Sequence, residues 1–256
     1  MSRLGELRLI STRPVARREG VDAGERPFTG GSCGGLVAAL TFAPFNVQPT
    51  HMTRPSGKGY FITGISTEVG KTVTSAALVE AWQADYWKPV QAGDLDHGDT
   101  DKVKNWVSNT RSTFHPERYR LQTPMSPDAA AAREGVRMRL TDFTLPPTDN
   151  LLLVEGAGGI YVPLNSEHTM LDLMTHLRLS VILVSRHYLG SINHTLLSIA
   201  ALRQAGLSLA GLVYSGKPHP ETERSITEQS GVRPLGRVPE MNGGRPRFVP
   251  EPPDAM

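Results

Sequence analysis

Cysteine is nearly absent from this chain of 256 residues; the only one is Cys33. A lone thiol excludes an internal disulfide and any zinc site built from several cysteines. Because Cys33 lies within the first 51 residues, the rest of the chain also has no cysteine nucleophile. That usage predicts a reducing, cytoplasmic setting. Long apolar runs are missing as well, so no membrane span of ~20 residues is expected. Neither sign of charge dominates. Of 27 basic and 25 acidic side chains, six and four fall in residues 1–51, leaving 21 of each in residues 52–256. A neutral body lacks the concentrated basic patch of a nucleic-acid groove, and no nucleic-acid partner is expected.

The first 51 residues read as foreign to the rest. "GGSCGG" and scattered prolines break any period, and the apolar run "LVAALTFAPF" sits too far from the start for a secretory signal. Glu6, Glu19, Asp22 and Glu25 count against an arginine-rich transit peptide. Met52 precedes the first convincing strand by a few residues, so residues 1–51 are expected to be a disordered extension or the product of a mis-assigned start. Residues 52–256 are expected to form a single domain, with an irregular Pro/Gly-rich tail from about residue 241.

From residue 60 strands alternate with helices. Apolar runs at 60–63, 86–90, 151–156, 181–185, 210–214 and, more weakly, 235–239 predict buried strands. Between them, helices are expected over 71–84, about 100–108, 126–135 (Ser126 as cap, Pro127 first, Gly135 as stop), about 191–204 and about 220–230. This order predicts an α/β fold: a three-layer, mainly parallel sheet with helices on both faces. Ligands of such sheets bind beyond the carboxyl ends of the strands.

What the sequence does contain starts with "GISTEVGKT" at 64–72, directly after the strand "YFIT". Glycines at 64 and 70 let backbone N–H groups turn toward phosphate oxygens, at the positive end of the helix that follows. Lys71 is placed to reach the terminal phosphates and Thr72 to ligate Mg²⁺. The spacing is G-x5-G-K-T, one residue longer than the general phosphate-loop pattern. Lysine is sparse in the body, with six at 58, 71, 88, 102, 104 and 217, and Lys88 stands near the end of an apolar strand. A lysine there is costly unless it faces a site, where it supplies a second cation beside Lys71; an edge-strand lysine reaching solvent is the structural alternative. In "DLDHGDTD" (94–101), Asp94 and Asp96 read as solvated loop residues, while Asp101 opens a helix where it could face a metal. The strand "LLLVEGAGG" ends in Glu155, the usual place for the acid that holds Mg²⁺ beside a phosphate loop, and its glycines allow close backbone approach. "LGSINHTLLS" begins a helix whose N–H groups at Gly190 and Ser191 could receive a carboxylate. His194 there reads as structural.

Taken together, "YFITGISTEVGKT", "KPVQAG", "TPMSPDAAAAREG", "LLLVEGAGGIYVPL" and "LGSINHTLLS" resemble the dethiobiotin synthetase family over roughly residues 58–240. The long phosphate-loop spacing is that family's own. The resemblance implies an ATP-dependent cyclo-ligase of the P-loop NTPase-like class. It would close the ureido ring of dethiobiotin from 7,8-diaminononanoate, CO₂ (or bicarbonate) and MgATP, in biotin biosynthesis. It further implies that Lys88 and Lys71 are catalytic, that Thr72, Asp101 and Glu155 hold the metal, and that Glu68, Val69, Gly70, Lys71, Thr72 and Val73 wrap the phosphates. Gly156, Ala157, Gly158, Ser215, Gly216, Pro239, Glu240 and Met241 would complete the nucleotide site. Ala92, Gly190, Ser191 and Asn193 would border the substrate, the last three across a homodimer interface. Three positions depart from the family pattern: Ala92 where a hydroxyl residue is usual, Ser215 where an asparagine is usual, and a Pro/Gly-rich ending in place of helical sequence. Two other readings share the phosphate loop. An amidoligase of the cobyrinic acid type would bring a glutaminase domain with a cysteine nucleophile. A partition-type ATPase switch would carry a lysine early in the loop, where this chain reads "GIST".

Overall fold

The computed structural model describes residues 59–241 and 243–250. The extension expected at 1–51 and the end of the expected tail, 251–256, lie outside the described residues. The central strand β1 (Gly59–Gly64) feeds helix α1 (Lys71–Trp82), which leads to β2 (Asp85–Trp87). The chain continues through β3 (Val90–Ala92), α2 (Asp99–Trp106), β4 (Phe114–His115), β5 (Tyr119–Leu121) and α3 (Pro127–Arg133). It then returns to the middle of the sheet as β6 (Leu152–Gly159), followed by α4 (Met170–Leu177), β7 (Ser180–Arg186) and α5 (Ser191–Gln204). The last elements are β8 (Leu209–Ser215), α6 (Pro220–Ser230), β9 (Pro234–Val238) and β10 (Val249–Pro250).

Eight strands form one sheet in the order β10-β9-β8-β7-β1-β6-β2-β4. All pairings within it are parallel except that of β10 with β9. Strands buried on both faces must be apolar at every position, not at alternate ones. β7 meets this condition through Val181, Ile182, Leu183 and Val184, all fully buried, so both faces of the strand are covered. Each such aliphatic side chain contributes roughly 1.5–3 kcal/mol through the apolar area it removes from water. No helix among the described residues is long and apolar enough to cross a membrane.

The run at 86–90 is not one strand. Proline cannot donate to a ladder, and at Pro89 the chain leaves the main sheet. β2 pairs with β6 and β4, whereas β3 pairs with β5 in a separate two-stranded sheet. The freed Pro89 carbonyl accepts the N–H groups of Arg118 and Tyr119 at 2.9 and 3.1 Å. Lys88 is therefore left at the carboxyl end of β2, at the break. The expected tail is partly ordered as well, since Val249 and Pro250 pair with Arg237 and Gly236 as an antiparallel edge.

Candidate active site

Residues 65–70 join β1 to α1 in a tight loop. A side chain on Gly64 would run into Val69 Cγ2 at 2.5 Å, and one on Gly70 would strike Ser215 Oγ. Gly70 also has φ +93°, a left-handed conformation that side chains rarely adopt. Glu68 shares that region at φ 59°, a strained state of the kind stored at ligand-binding loops. Because Gly70 caps α1 without a side chain, and no acid follows in the first turn, the helix end keeps its N–H groups and positive potential for an anion. Lys71 is buried and folds its Nζ back to the Ser66 carbonyl at 3.1 Å. Burial and the adjacent Lys88 lower its pKa to about 8, against the opposing pull of Glu155 and Asp99.

Beside the loop lies a buried ionic cluster. Glu155, with no exposed surface, receives four donors. Thr72 Oγ1 and Lys88 Nζ donate to its Oε1 at 2.9 and 3.1 Å, and Ser75 Oγ and the Tyr86 hydroxyl donate to its Oε2 at 2.7 and 2.9 Å. Lys88 Nζ also meets Asp99 Oδ2 at 2.7 Å and the Gly156 carbonyl at 3.1 Å. Burial alone would push the Lys88 ammonium down, but Glu155 and Asp99 hold its pKa above the ordinary lysine value. Burial would likewise raise Asp99, yet Lys88 and the Thr72 hydroxyl keep it below the ordinary carboxylate value. Gly156 must be a glycine, since a Cβ there would fall 2.7 Å from the Phe61 ring. Gly158, at φ +61°, brings the end of β6 against Val162 and Thr67.

Asp101 is a correction. Its carboxylate does not enter the cluster. It turns back to accept the Gly98 N–H at 3.2 Å, closing a cap on the first turn of α2. Asp99, two residues earlier, reaches Lys88 and Thr72 instead. The helix begins at Asp99, one residue after Gly98, so reading "GDTD" as starting at its second acid put the wrong carboxylate inward. Tyr86 and Ser75 were missed too, since a hydroxyl within a strand or helix gives no sequence signal of its partner. Ser215 is buried and pressed against Gly70, so it serves as the floor under the phosphate loop.

Several of the other predicted positions lie at or just beyond the carboxyl ends of strands. Ala92 closes β3 and is half-buried. Gly216 follows β8, its N–H bonded to the Val238 carbonyl at 2.8 Å. Pro239, Glu240 and Met241 follow β9, and Glu240 pairs with Arg186 at 3.3 Å and Lys217 at 3.9 Å. Val73 is the third residue of α1, and Ala157 continues β6 between the two glycines. Gly190, Ser191 and Asn193 stand beyond β7, where Asn193 is exposed and Ser191 donates its N–H to Tyr188. No hydrogen bond joins those three to the Lys88 cluster among the described residues.

The donors around Thr72, Asp99 and Glu155 are all oxygens, the set a hard divalent cation takes. Among the described residues no three His, Cys, Asp or Glu side chains gather as a metal cage. Two carboxylates and a hydroxyl instead suit an ion that draws its remaining ligands from water and from phosphate. A cation already bridges the two carboxylates here, in the form of the Lys88 ammonium.

A tight loop from a central parallel strand into a lysine-bearing helix, beside an acid on the adjacent strand, defines a P-loop nucleotide-binding protein. A family model described as an AAA domain matches residues 58–244. An ATP-dependent dethiobiotin synthetase BioD from Christiangramia forsetii is 53% identical over 183 residues, covering 72% of this chain and 88% of that one. Its counterpart from Cytophaga hutchinsonii is 48% identical, covering 71% and 88%. The chain belongs to the ATP-dependent dethiobiotin synthetase family. Its likeness to the MinD cell division protein of Aquifex aeolicus is remote, with 12% identity and a TM-score of 0.42 over 72% of this chain and 83% of that one.

Proposed function

We propose that this chain closes the ureido ring of dethiobiotin from 7,8-diaminononanoate, CO₂ and MgATP. One amine adds to CO₂ and releases a proton, giving a carbamate. A carbamate oxygen then attacks the γ-phosphorus of ATP, and ADP leaves. The second amine attacks the activated carbonyl carbon, loses a proton, and expels phosphate as the ring closes. The observation that carries this reading is the buried pairing of Lys88 with Glu155 and Asp99, a few ångströms from Thr72 of the phosphate loop.

Carbamate and γ-phosphate are both anions, so their approach needs cations on several sides. Lys88 holds one ammonium at the end of β2 for the carbamate side, and Lys71 holds another for the phosphates. Thr72, Asp99 and Glu155 are the residues suited to hold Mg²⁺, which when bound neutralises charge on the phosphate oxygens. The transfer then depends mainly on positioning and charge stabilisation. The residues at 68–73 support phosphate binding, and those at 215–216 and 239–241 border the base. Met125, Tyr161, Tyr188, Leu189 and Leu197 are large apolar residues left exposed. Such exposure supports a homodimer in which the start of α5 meets the substrate carboxylate of the partner. A cytoplasmic site of action fits the near-absence of cysteine.

The test is phosphate release from MgATP by the purified chain, with and without 7,8-diaminononanoate and bicarbonate. The expected result is release that requires both, with an equal amount of dethiobiotin, from a species sedimenting at twice the chain mass. Release indifferent to the diamine would point to an ATPase switch instead.

A further inference from the structure

The four hydrogen bonds to Glu155 are divided by oxygen. Oε1 faces Thr72 and Lys88, the groups that border the phosphate loop. Oε2 is filled from behind by Ser75, in α1, and by Tyr86, in β2. Both of these residues are fully buried. Carboxylate torsions are broad unless something fixes them, and two hydroxyl donors on one oxygen fix this one. The pairing of β2 with β6 explains how the phenol arrives: Tyr86 lies opposite Leu153 in the adjacent strand, two residues before Glu155. Its ring packs against Phe114 with centroids 6.4 Å apart, a contact that phenylalanine would keep. The hydroxyl therefore adds nothing to the packing of the ring; it donates to Glu155 Oε2.

We infer that Tyr86 is a positioning residue for the reaction: with Ser75 it clamps Oε2 of Glu155, so that Oε1 is the oxygen presented to Lys88, Thr72 and the cation that accompanies the nucleotide. This deepens the functional reading above and rests on it. Outer partners that orient ligands of a metal are typically worth about 10–100-fold in affinity or activity.

The decisive variant is Tyr86→Phe in the full chain, with Ser75→Ala as an independent removal of the second donor. Three quantities are compared with the wild type: kcat and KM for the diamine, the Mg²⁺ concentration that half-saturates ATP binding by calorimetry without diamine, and the melting temperature. The expectation for Tyr86→Phe is a kcat lower by about tenfold and a Mg²⁺ requirement raised about fivefold. KM for the diamine should stay within about twofold and melting within about 3 °C. Ser75→Ala should move the same two quantities in the same direction. In a Glu155→Gln background, Tyr86→Phe should change Mg²⁺ dependence no further, because it acts through that carboxylate. Wild-type kcat and wild-type Mg²⁺ dependence in Tyr86→Phe would overturn the assignment. So would a lower kcat accompanied only by a large drop in melting temperature, since that marks a packing role. The calorimetric arm needs no diamine, so it still decides the role of Tyr86 if the wild type proves to make some other product.

Discussion

Two buried carboxylates occupy opposite ends of the same pair of strands, and the difference between them separates a structural acid from a working one. Asp85 opens β2 at the amino end of the sheet. It accepts the Thr113 N–H at 2.9 Å, the Asn150 side chain at 3.0 Å and the Thr148 hydroxyl at 2.6 Å, and His115 Nε2 lies 3.3 Å away. Burial would raise its pKa, but the bond from Thr148 and then the others take it below the ordinary value. Lysine and arginine are absent from that set of partners. Glu155, in the middle of β6 and one residue past the last pair that β2 makes with it, shares its neighbourhood with Asp99 and with two ammonium groups. Two cations balanced against two anions in a dry place form an arrangement that an incoming polyanion and its metal can redistribute. The partners of Asp85 tie three chain segments together, and nothing there is exchangeable.

The contrast predicts that site acids set turnover and the distal acid sets stability. The largest effect should come from Asp99→Asn, with kcat down at least about 100-fold and the fold intact. Asp101→Asn should keep turnover within about threefold and cost about 1 kcal/mol of stability through the weakened cap. Steady-state kinetics and urea unfolding of the two variants decide the matter, and equal losses of kcat would sink the reassignment of the inward-facing acid. Asp85→Ala is the mirror image. It strands several buried donors, so stability should fall by about 3 kcal/mol, while turnover per folded molecule stays near the wild type. If kcat of the folded fraction collapsed, the two ends of the sheet could not be separated as structural and functional.

These same residues mark what the sequence could and could not reveal. The phosphate loop was legible as a motif, and Glu155 and lone Lys88 because each breaks the apolar pattern of a strand, where a charge needs a reason. Helices α5 and α6 were legible to their terminal residues, since Gly190 and Pro220 punctuate them sharply. Helix α4 was overlooked, although Thr169 and Asp172 form a capping box ahead of its apolar face, with the Thr169 N–H donating to Asp172 at 2.7 Å. The short strands β4 and β5 carry too few residues to establish a period, and β4 exists only because β2 offers it an edge. The choice between Asp99 and Asp101 depended on a helix start, the kind of boundary that local pattern defines least well. Hydroxyl partners of Glu155 depended on strand register, which no single segment encodes.

A third carboxylate tests the rule on the surface, where the expected effect is smallest. Glu80 lies near the end of α1, where a negative charge opposes the helix dipole. It is kept there by four donors from the segment after α2: the N–H and hydroxyl of Ser108 at 2.8 and 2.7 Å, and the N–H and side chain of Asn109 at 3.1 and 3.2 Å. Slight burial pushes its pKa up, but the Ser108 and Asn109 bonds outweigh this and bring it to about 2. A carboxylate whose folded pKa is depressed adds stability above its unfolded value, and that stability is lost as pH falls toward the folded value. For Glu80 the window runs from 4.5 down to about 2. Because the group is largely solvated, screening reduces its share to about 1 kcal/mol at neutral pH. Glu80→Gln should therefore lower unfolding stability by about that amount at pH 7, with a smaller difference near pH 3 and no change in kcat. A gap between wild type and variant that stays constant across this range would mean that the loop is held by the geometry of the acceptor, with no contribution from its charge. Asp85, held by the same kind of neutral donors, would then be open to the same interpretation.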